Sequence, residues 1–330
     1  MRLKRHIHQS GLAAMLACAL GLSACAGGPA GPSSAPSAAL PLIVAHRGGT
    51  GDAPENTLEA IRLALAQRAD AMWLTVQLSK DGVPVLYRPA DLSALTPASG
   101  AVADRTAAEL ARLNAGWNYK DADGQYPYRV RPVGIPTLRD ALRALPAGMP
   151  VVLDMKALPA PPQAAAVARV LDDLAAWPRV MLYSTEAAYQ QAFAAYPQAR
   201  LFESRDATRD RLVKVLLGQG CESAPAAPVW TGFELHRPLT VTEKFTLGEG
   251  VSRATATLWN PTTVACFRRQ APVRILAIAV NDAAGYRAAA CLGLDAVLAD
   301  SPRRMTQIRA SLAGQPLRCD APDRDVAATH

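Results

Sequence analysis

Charged side chains are scarce in this chain. Asp, Glu, Lys and Arg make up 19% of its 330 residues, and aromatics only 5%. Half of the residues are hydrophobic, a balance that excludes a disordered chain and leaves enough apolar side chains for a sizeable core. No Lys/Arg run resembles a nucleic-acid patch, so nucleic acid is not an expected partner. No Cys-x-x-Cys pair occurs, which argues against a thiolate zinc site. No Gly-x-Gly-x-x-Gly follows the first expected strand, which argues against a Rossmann nucleotide site. Ser184 and Thr185 end an expected strand without a Gly-x-Ser-x-Gly elbow, which disfavours acyl transfer.

A long apolar span is also missing. The run from Gly11 to Leu22 is too short to cross a bilayer comfortably, and it follows the basic residues Arg2, Lys4 and Arg5. It ends in Leu22-Ser23-Ala24-Cys25, which looks like a lipobox. Residues 1–25 are therefore expected to be a lipoprotein signal peptide removed before Cys25, whose lipidation anchors the protein to a membrane. An ordinary secretory signal that happens to contain Cys25 is the alternative. Ala26, where an Asp commonly marks inner-membrane retention, points to the cell envelope and the periplasmic face of the outer membrane. Residues 26–40 are rich in Gly, Pro, Ser and Ala and read as a flexible tether. A domain over 41–316 and a C-terminal tail over 317–330 follow. Removing the signal lowers the formal charge from +7, leaving 32 basic against 28 acidic side chains.

With Cys18 lost in the signal and Cys25 lipidated, Cys221, Cys266, Cys291 and Cys319 remain. An oxidising compartment allows three pairings, of which Cys221–Cys266 with Cys291–Cys319 is favoured; free buried thiols are the alternative.

From Leu42 onward, short apolar strands alternate with helical stretches. Strands are expected at 42–45, 71–78, 151–155, 180–183, 199–202, 229–234, 273–280 and 296–299. Helices are expected at 57–68, 137–145, 163–176, 185–195, 208–217, 261–269, 283–291 and 302–313. That alternation predicts an α/β fold with a single (β/α)8 TIM-type barrel; a doubly wound open sheet is the alternative. Asn56 is placed as the N-cap of the first helix, with Glu59 three residues on. In the second strand, Met72, Leu74, Val76 and Leu78 are expected to face the helices, and Ala71, Trp73, Thr75 and Gln77 the barrel interior. Pro238–Thr257 breaks the rhythm and reads as a hairpin-like insertion.

In such a barrel, functional groups gather at the C-terminal strand ends. His46-Arg47-Gly48-Gly49 ends the first strand. A His can exchange a proton near neutral pH, and an Arg can hold phosphate through two parallel bonds. Strand alternation puts Val152, Asp154 and Lys156 on one face. Several ordered segments together resemble the glycerophosphodiester phosphodiesterase family: Ile43-Val-Ala-His-Arg-Gly-Gly, Pro54-Glu-Asn-Thr-Leu-Glu-Ala, Ala69 to Tyr87, Ile135-Pro-Thr-Leu, Val151-Val-Leu-Asp-Met-Lys and Leu294-Asp-Ala-Val-Leu-Ala-Asp-Ser-Pro. The resemblance implies a barrel enzyme that cleaves glycerophosphodiesters to an alcohol and glycerol phosphate with two His residues and a divalent cation, often calcium or magnesium. By position it makes His46 the first catalytic His, Arg47 a phosphate-binding residue, Asp154 a carboxylate metal ligand and Lys156 a phosphate contact.

The chain also departs from that pattern. Trp73 and Thr75 stand where the family has two carboxylate ligands, Arg88-Pro89 replaces the His-Asp of the second catalytic His, and Ile278 replaces a Trp. A hard divalent cation draws most of its binding energy from carboxylates. Losing it removes several kcal/mol of phosphoryl stabilisation, and losing an acid/base partner costs roughly 10²–10⁴-fold more. No cofactor is therefore expected, with the family's calcium or magnesium as the disfavoured alternative. Arg47, Arg88 and Lys156 are expected to converge on one phosphate, with Trp73 either a wall for a choline-like head group or core filler. The leading expectation is an envelope-anchored family member that binds glycerophosphodiesters or phospholipid head groups with impaired hydrolysis. The alternatives are an active phosphoric diester hydrolase, with a relocated metal or with His236 as its second acid/base, and a non-catalytic structural or interaction lipoprotein.

Overall fold

The computed structural model describes residues 39–319. The signal peptide, Cys25, nearly all of the tether and residues 320–330 lie outside them. The described residues belong to one compact unit, which contains every described core cluster and both described disulfides.

The strands are β1 (Leu42–His46), β2 (Ala71–Leu78), β3 (Pro84–Leu86), β4 (Val151–Met155), β5 (Val180–Tyr183), β6 (Val229–Glu234), β7 (His236–Phe245), β8 (Gly248–Thr257), β9 (Val273–Ile278) and β10 (Ala296–Ala299). The helices are α1 (Leu58–Ala66), α2 (Ala107–Leu110), α3 (Leu138–Ala144), α4 (Ala160–Asp173), α5 (Ala188–Ala192), α6 (Arg205–Leu216), α7 (Pro261–Phe267), α8 (Ala283–Cys291) and α9 (Pro302–Leu312). Seven strands pair in parallel in the order β5-β4-β2-β1-β10-β9-β6. Two parallel bridges, Leu182 to Leu201 and Phe202 to Trp230, join the two ends of the path. The barrel fold is thus as expected, but the stave expected at 199–202 is reduced to two bridging residues, because α6 starts at Arg205.

Alternation along the strands sorts the core into two shells. Outward side chains such as Met72, Leu74, Val76, Leu153 and Met155 pack against α1, α3 and α4. Ile43, Ile275, Ala277, Val297 and Ala299 do the same beneath the helices of the second half. Inward side chains, among them Val44, Ala71, Trp73, Val152, Tyr183, Phe202, Leu276 and Leu298, fill the barrel. Burying so much apolar surface on both faces of a parallel sheet is what holds the fold.

Two local readings are corrected. Thr57, not Asn56, caps α1: its side chain accepts from the Ala60 N–H. Asn56 instead adopts φ +58 and turns its amide oxygen to the Thr75 N–H, 2.9 Å away. That bond ties the β1–α1 loop to β2 and takes the Asn side chain from its own helix. The helix expected over 185–195 shrinks to α5, since the Ser184 hydroxyl accepts from the Glu186 N–H and holds a turn before it. The insertion is a two-stranded antiparallel hairpin from His236, two residues earlier than expected.

Both disulfides follow the favoured pairing, Cys221–Cys266 and Cys291–Cys319. The second ties the start of the tail to the end of α8. The first closes a loop of 45 residues across the segment carrying the hairpin. Replacing Cys221 and Cys266 by Ser is expected to lower stability by about 3–4 kcal/mol. Urea unfolding of the oxidised protein and the variant checks this; coincident midpoints would contradict it.

Candidate active site

The C-terminal ends of the strands form the barrel mouth. His46, Asp154, Tyr183 and Glu234 arrive there on inward positions of β1, β4, β5 and β6. Pairing puts His46 beside Trp73, and Asp154 between Thr75 and Tyr183. Asp300 continues the inward parity of Ala296 and Leu298 just beyond β10.

The β1–α1 loop turns sharply to present the first motif. Arg47 has φ +51, Gly48 +82 and Gly49 +106, with the Gly49 N–H donating to the His46 carbonyl at 2.8 Å. A side chain at Gly49 would meet Pro302 Cδ at 3.0 Å, so glycine is required where this loop crosses the start of α9. A left-handed non-glycine residue is strained, and such strain gathers at functional sites.

His46 Nδ1 lies 2.7 Å from Asp300 Oδ1. The same carboxylate accepts from Thr50 Oγ1 at 3.0 Å and from Asn281 Nδ2 at 2.8 Å. The hydrogen bond from His46, with those from Thr50 and Asn281, outweighs burial and holds the Asp300 carboxyl at about 2, below its usual 3.8. An ionised Asp300 fixes the proton of His46 on Nδ1 and leaves Nε2 to act toward a ligand.

Arg47, Lys156 and Arg205 at the mouth each have a carboxylate partner. Arg47 Nη1 reaches Glu55 Oε2 at 2.5 Å, and Lys156 Nζ lies 3.1 Å from Asp154 Oδ1 and 3.2 Å from Thr185 Oγ1. Arg205 holds both oxygens of Glu234 at 2.6 and 2.8 Å and donates to the Tyr183 hydroxyl at 3.0 Å. Arg88 is exposed. Of the three cations expected to converge on one phosphate, Arg47 and Lys156 are thus each held beside a carboxylate, and Arg88 is exposed. Burial pushes the Asp154 carboxyl up, while Lys156 pulls it down. Trp73 is 3% exposed. Its ring is covered by Tyr183, with centroids 4.7 Å apart, and by Phe202 at 6.0 Å, so it fills the barrel and offers no wall to a head group. His236 sits exposed at the base of the hairpin, 3.2 Å from Thr257 Oγ1.

Among the described residues, the buried side-chain atoms without a hydrogen-bond partner are Arg47 Nε, Glu55 Oε1, Asn56 Nδ2, Thr75 Oγ1 and Asp154 Oδ1. All belong to the β1–α1 loop, β2 and β4. For Asp154 the nearby Lys156 gives ion pairing without hydrogen-bond geometry. Native proteins bury few such atoms, and their concentration at one place makes it the candidate ligand site. Hollows elsewhere carry none of these residues: a 720 Å³ surface groove runs along Arg268, Arg269 and Arg274, and a 270 Å³ cavity opens among Val44, Met181, Phe202 and Trp230 at the opposite end of the barrel. Conserving fold rather than chemistry is the usual role of that end. Among the described residues, no group of three or more His, Cys, Asp or Glu gathers in a metal-holding arrangement.

The sequence reading brought together His46, Arg47, Asp154 and Lys156 and missed Glu55, Asn281, Glu234 and Asp300. Inward parity at the C-terminal ends of β6 and β10 is the signal that would have found Glu234 and Asp300.

A model of the glycerophosphoryl diester phosphodiesterase family matches residues 46–304. An uncharacterised Mycobacterium tuberculosis protein, Rv2277c, is 48% identical over 270 residues, covering 82% of this chain and 90% of its own length. The crystal structure of that protein's glycerophosphoryl diester phosphodiesterase domain superposes with a TM-score of 0.76 at 47% identity, covering 82% of this chain and all of the domain. An Oleispira antarctica phosphodiesterase, solved with its product sn-glycerol-3-phosphate, shares the fold at a TM-score of 0.60 and 24% identity, over 82% of this chain and 97% of its own. The chain belongs to the glycerophosphoryl diester phosphodiesterase family.

Asp300→Asn is expected to destabilise the protein by about 1.5–3 kcal/mol at pH 7, the usual worth of a hydrogen bond to a charged group. Because the native carboxyl sits at about 2 rather than 3.8, its contribution is complete above about pH 4 and fades as pH falls toward 2. Thermal unfolding of both proteins across this range checks the sign; a difference that does not shrink in acid would contradict it.

Proposed function

We propose that this glycerophosphodiester phosphodiesterase-like protein binds a polyol phosphate, a glycerophosphodiester or a phospholipid head group, at its barrel mouth, and that hydrolysis by the family's metal-assisted route is impaired. The observation that carries the reading is the group of unpartnered buried atoms. Arg47 Nε and Asn56 Nδ2 are donors suited to phosphate oxygens, while Glu55 Oε1 and Asp154 Oδ1 are acceptors suited to hydroxyl groups. Lys156 donates one hydrogen bond within the protein, to Thr185, and keeps protons for a ligand.

The residues present do not suit a divalent cation. Beside the positions of Trp73 and Thr75, Asp154 is the remaining carboxylate, and the Lys156 ammonium already neutralises it. Glu55, Glu234 and Asp300 are each engaged by Arg47, Arg205 and His46. A cation such as calcium needs several oxygen ligands, and this mouth offers it few that are not matched. The replacement of the second catalytic His by exposed Arg88 removes an acid/base partner as well.

The active-hydrolase reading keeps one observation in its favour. His46 retains its Asp300 partner, and Nε2 is thereby prepared for proton transfer. Membrane attachment through Cys25, and placement at the outer membrane facing the periplasm, are further parts of the proposal and rest on the sequence of residues 1–26 alone.

Calorimetry with sn-glycerol 3-phosphate is expected to show binding that weakens about tenfold or more in Arg47→Ala and in Lys156→Ala. Glycerophosphocholine and glycerophosphoethanolamine are expected to remain uncleaved with calcium or magnesium. The combined change Trp73→Glu, Thr75→Asp and Arg88→His should create turnover that requires metal. Metal-dependent cleavage by the unaltered protein, lost in His46→Ala, would overturn the impaired-enzyme reading. Unchanged affinity in both Ala variants would remove the binding claim.

A further inference from the structure

The hairpin β7–β8 connects β6 to α7, so it is one of the βα loops at the mouth end of the barrel. Nearly all of its residues are exposed. An isolated two-stranded hairpin is marginally stable in water unless something covers a face. One face is mostly apolar. Leu239, Val241 and Phe245 share one row of β7, with Glu243 between the last two, opposite Ala254, Ser252, Gly248 and Gly250 respectively. The Phe245 ring lies across Gly250, where a side chain would come within 2.7 Å of it. At the tip Leu247 is 100% exposed and Phe245 62%. Behind the tip Lys244 pairs with Glu249 and follows Glu243, and further down Arg253 and Arg237 face Thr240 and Ala256, with no acidic residue opposite either.

A second mouth-side element has the same character. The segment 112–131 belongs to the connection leaving the mouth end of β2, and Gly116 within it packs against Pro54 of the β1–α1 loop. There Arg129 stacks on Trp117 at 4.8 Å and on Tyr126 at 3.8 Å, Lys120 lies 5.4 Å from the Tyr126 ring, and Val130 is 83% exposed. Together the hairpin and this segment hold seven Arg or Lys against four Asp or Glu. Apolar tips backed by basic residues, and half-buried Trp and Tyr beside Arg and Lys, are the chemistry of a surface that meets lipid head groups.

We propose that the mouth face docks on an anionic phospholipid bilayer, with Phe245 and Leu247 at the hairpin tip entering the acyl boundary. This deepens the reading given above by making the bilayer the source of the head groups that the mouth binds. The contact itself does not depend on that reading, nor on an anchor at Cys25. Apolar insertion holds the tip, and the basic residues set the preference for negative surfaces. The mouth then faces the membrane, and a head group has no aqueous distance to cross.

The test uses the chain from residue 39 onward, the part that corresponds to the domain whose crystal structure is known for the Mycobacterium tuberculosis relative. It is sedimented with vesicles of phosphatidylcholine, with and without phosphatidylglycerol. The unaltered unit is expected to bind the mixed vesicles more strongly. Phe245→Ser with Leu247→Ser should lose about a hundredfold in partitioning. Lys244→Gln with Arg253→Gln, which keeps the tip, should lose the preference for phosphatidylglycerol. Calorimetry with sn-glycerol 3-phosphate should be the same in all three proteins, which separates failure of the docking from failure of the phosphate site. Equal partitioning of the tip variant, or no sedimentation of the unaltered unit with either vesicle, would overturn the proposal. So would a dimer, seen without lipid, that the tip variant dissociates, since that assigns the face to a second copy.

Discussion

Each parallel strand of the barrel must send alternate side chains into an interior filled by other side chains, and this period of two decides what the mouth can contain. Val44, Trp73, Val152, Tyr183 and Leu298 occupy inward rows and close the barrel from within. The same rows, followed one step further along each strand, deliver His46, Thr75, Asp154, Glu234 and Asp300 to the open end. A polar group on such a row is held by the packing beneath it and lacks free access to water, so it must find a partner. The ion pairs of the mouth follow from that requirement: Arg47 with Glu55, Lys156 with Asp154, Arg205 with Glu234, and His46 with Asp300.

Those pairs give the site its balance. A mouth of unpaired cations would attract any anion, whereas matched pairs leave only the residual donors and acceptors to discriminate. Asp154 shows the competition most clearly. Burial disfavours its charge, and the adjacent Lys156 restores it. In this position the ammonium performs the neutralising task that a metal ion would perform in a carboxylate-rich mouth. Trp73 strengthens the effect by filling the space next to His46 and Val152 with an indole packed on Tyr183 and Phe202.

Much of this was legible before any coordinates. Strand and helix alternation specified the barrel, and parity alone put Asp154 and Lys156 on one face. The four cysteines paired in sequence order, as favoured. The misreadings share a cause: they concern side chains whose partner comes from a distant segment. Asn56 reads as a helix cap because capping is local, yet its amide is taken by Thr75 of β2. Trp73 reads as filler first, with a head-group wall as the alternative, until Tyr183 and Phe202 are seen covering it. Glu234 sits in unremarkable local sequence and Asp300 in a segment read for its family resemblance alone, and only their inward parity and their partners Arg205 and His46 give them a role. Arg88 lies beyond the reach of parity, on a loop after β3, and nothing in its neighbours signals that it stays in solvent.

The central claim is that protein cations have replaced a divalent ion at this mouth while the capacity to hold a polyol phosphate persists. Titrating calcium into the protein by calorimetry, with and without saturating sn-glycerol 3-phosphate, tests it most directly. The account predicts no saturable one-to-one calcium site in either titration, alongside phosphate binding that calcium does not strengthen. A stoichiometric calcium site whose occupancy tightens the phosphate, and which Asp154→Asn abolishes, would contradict it.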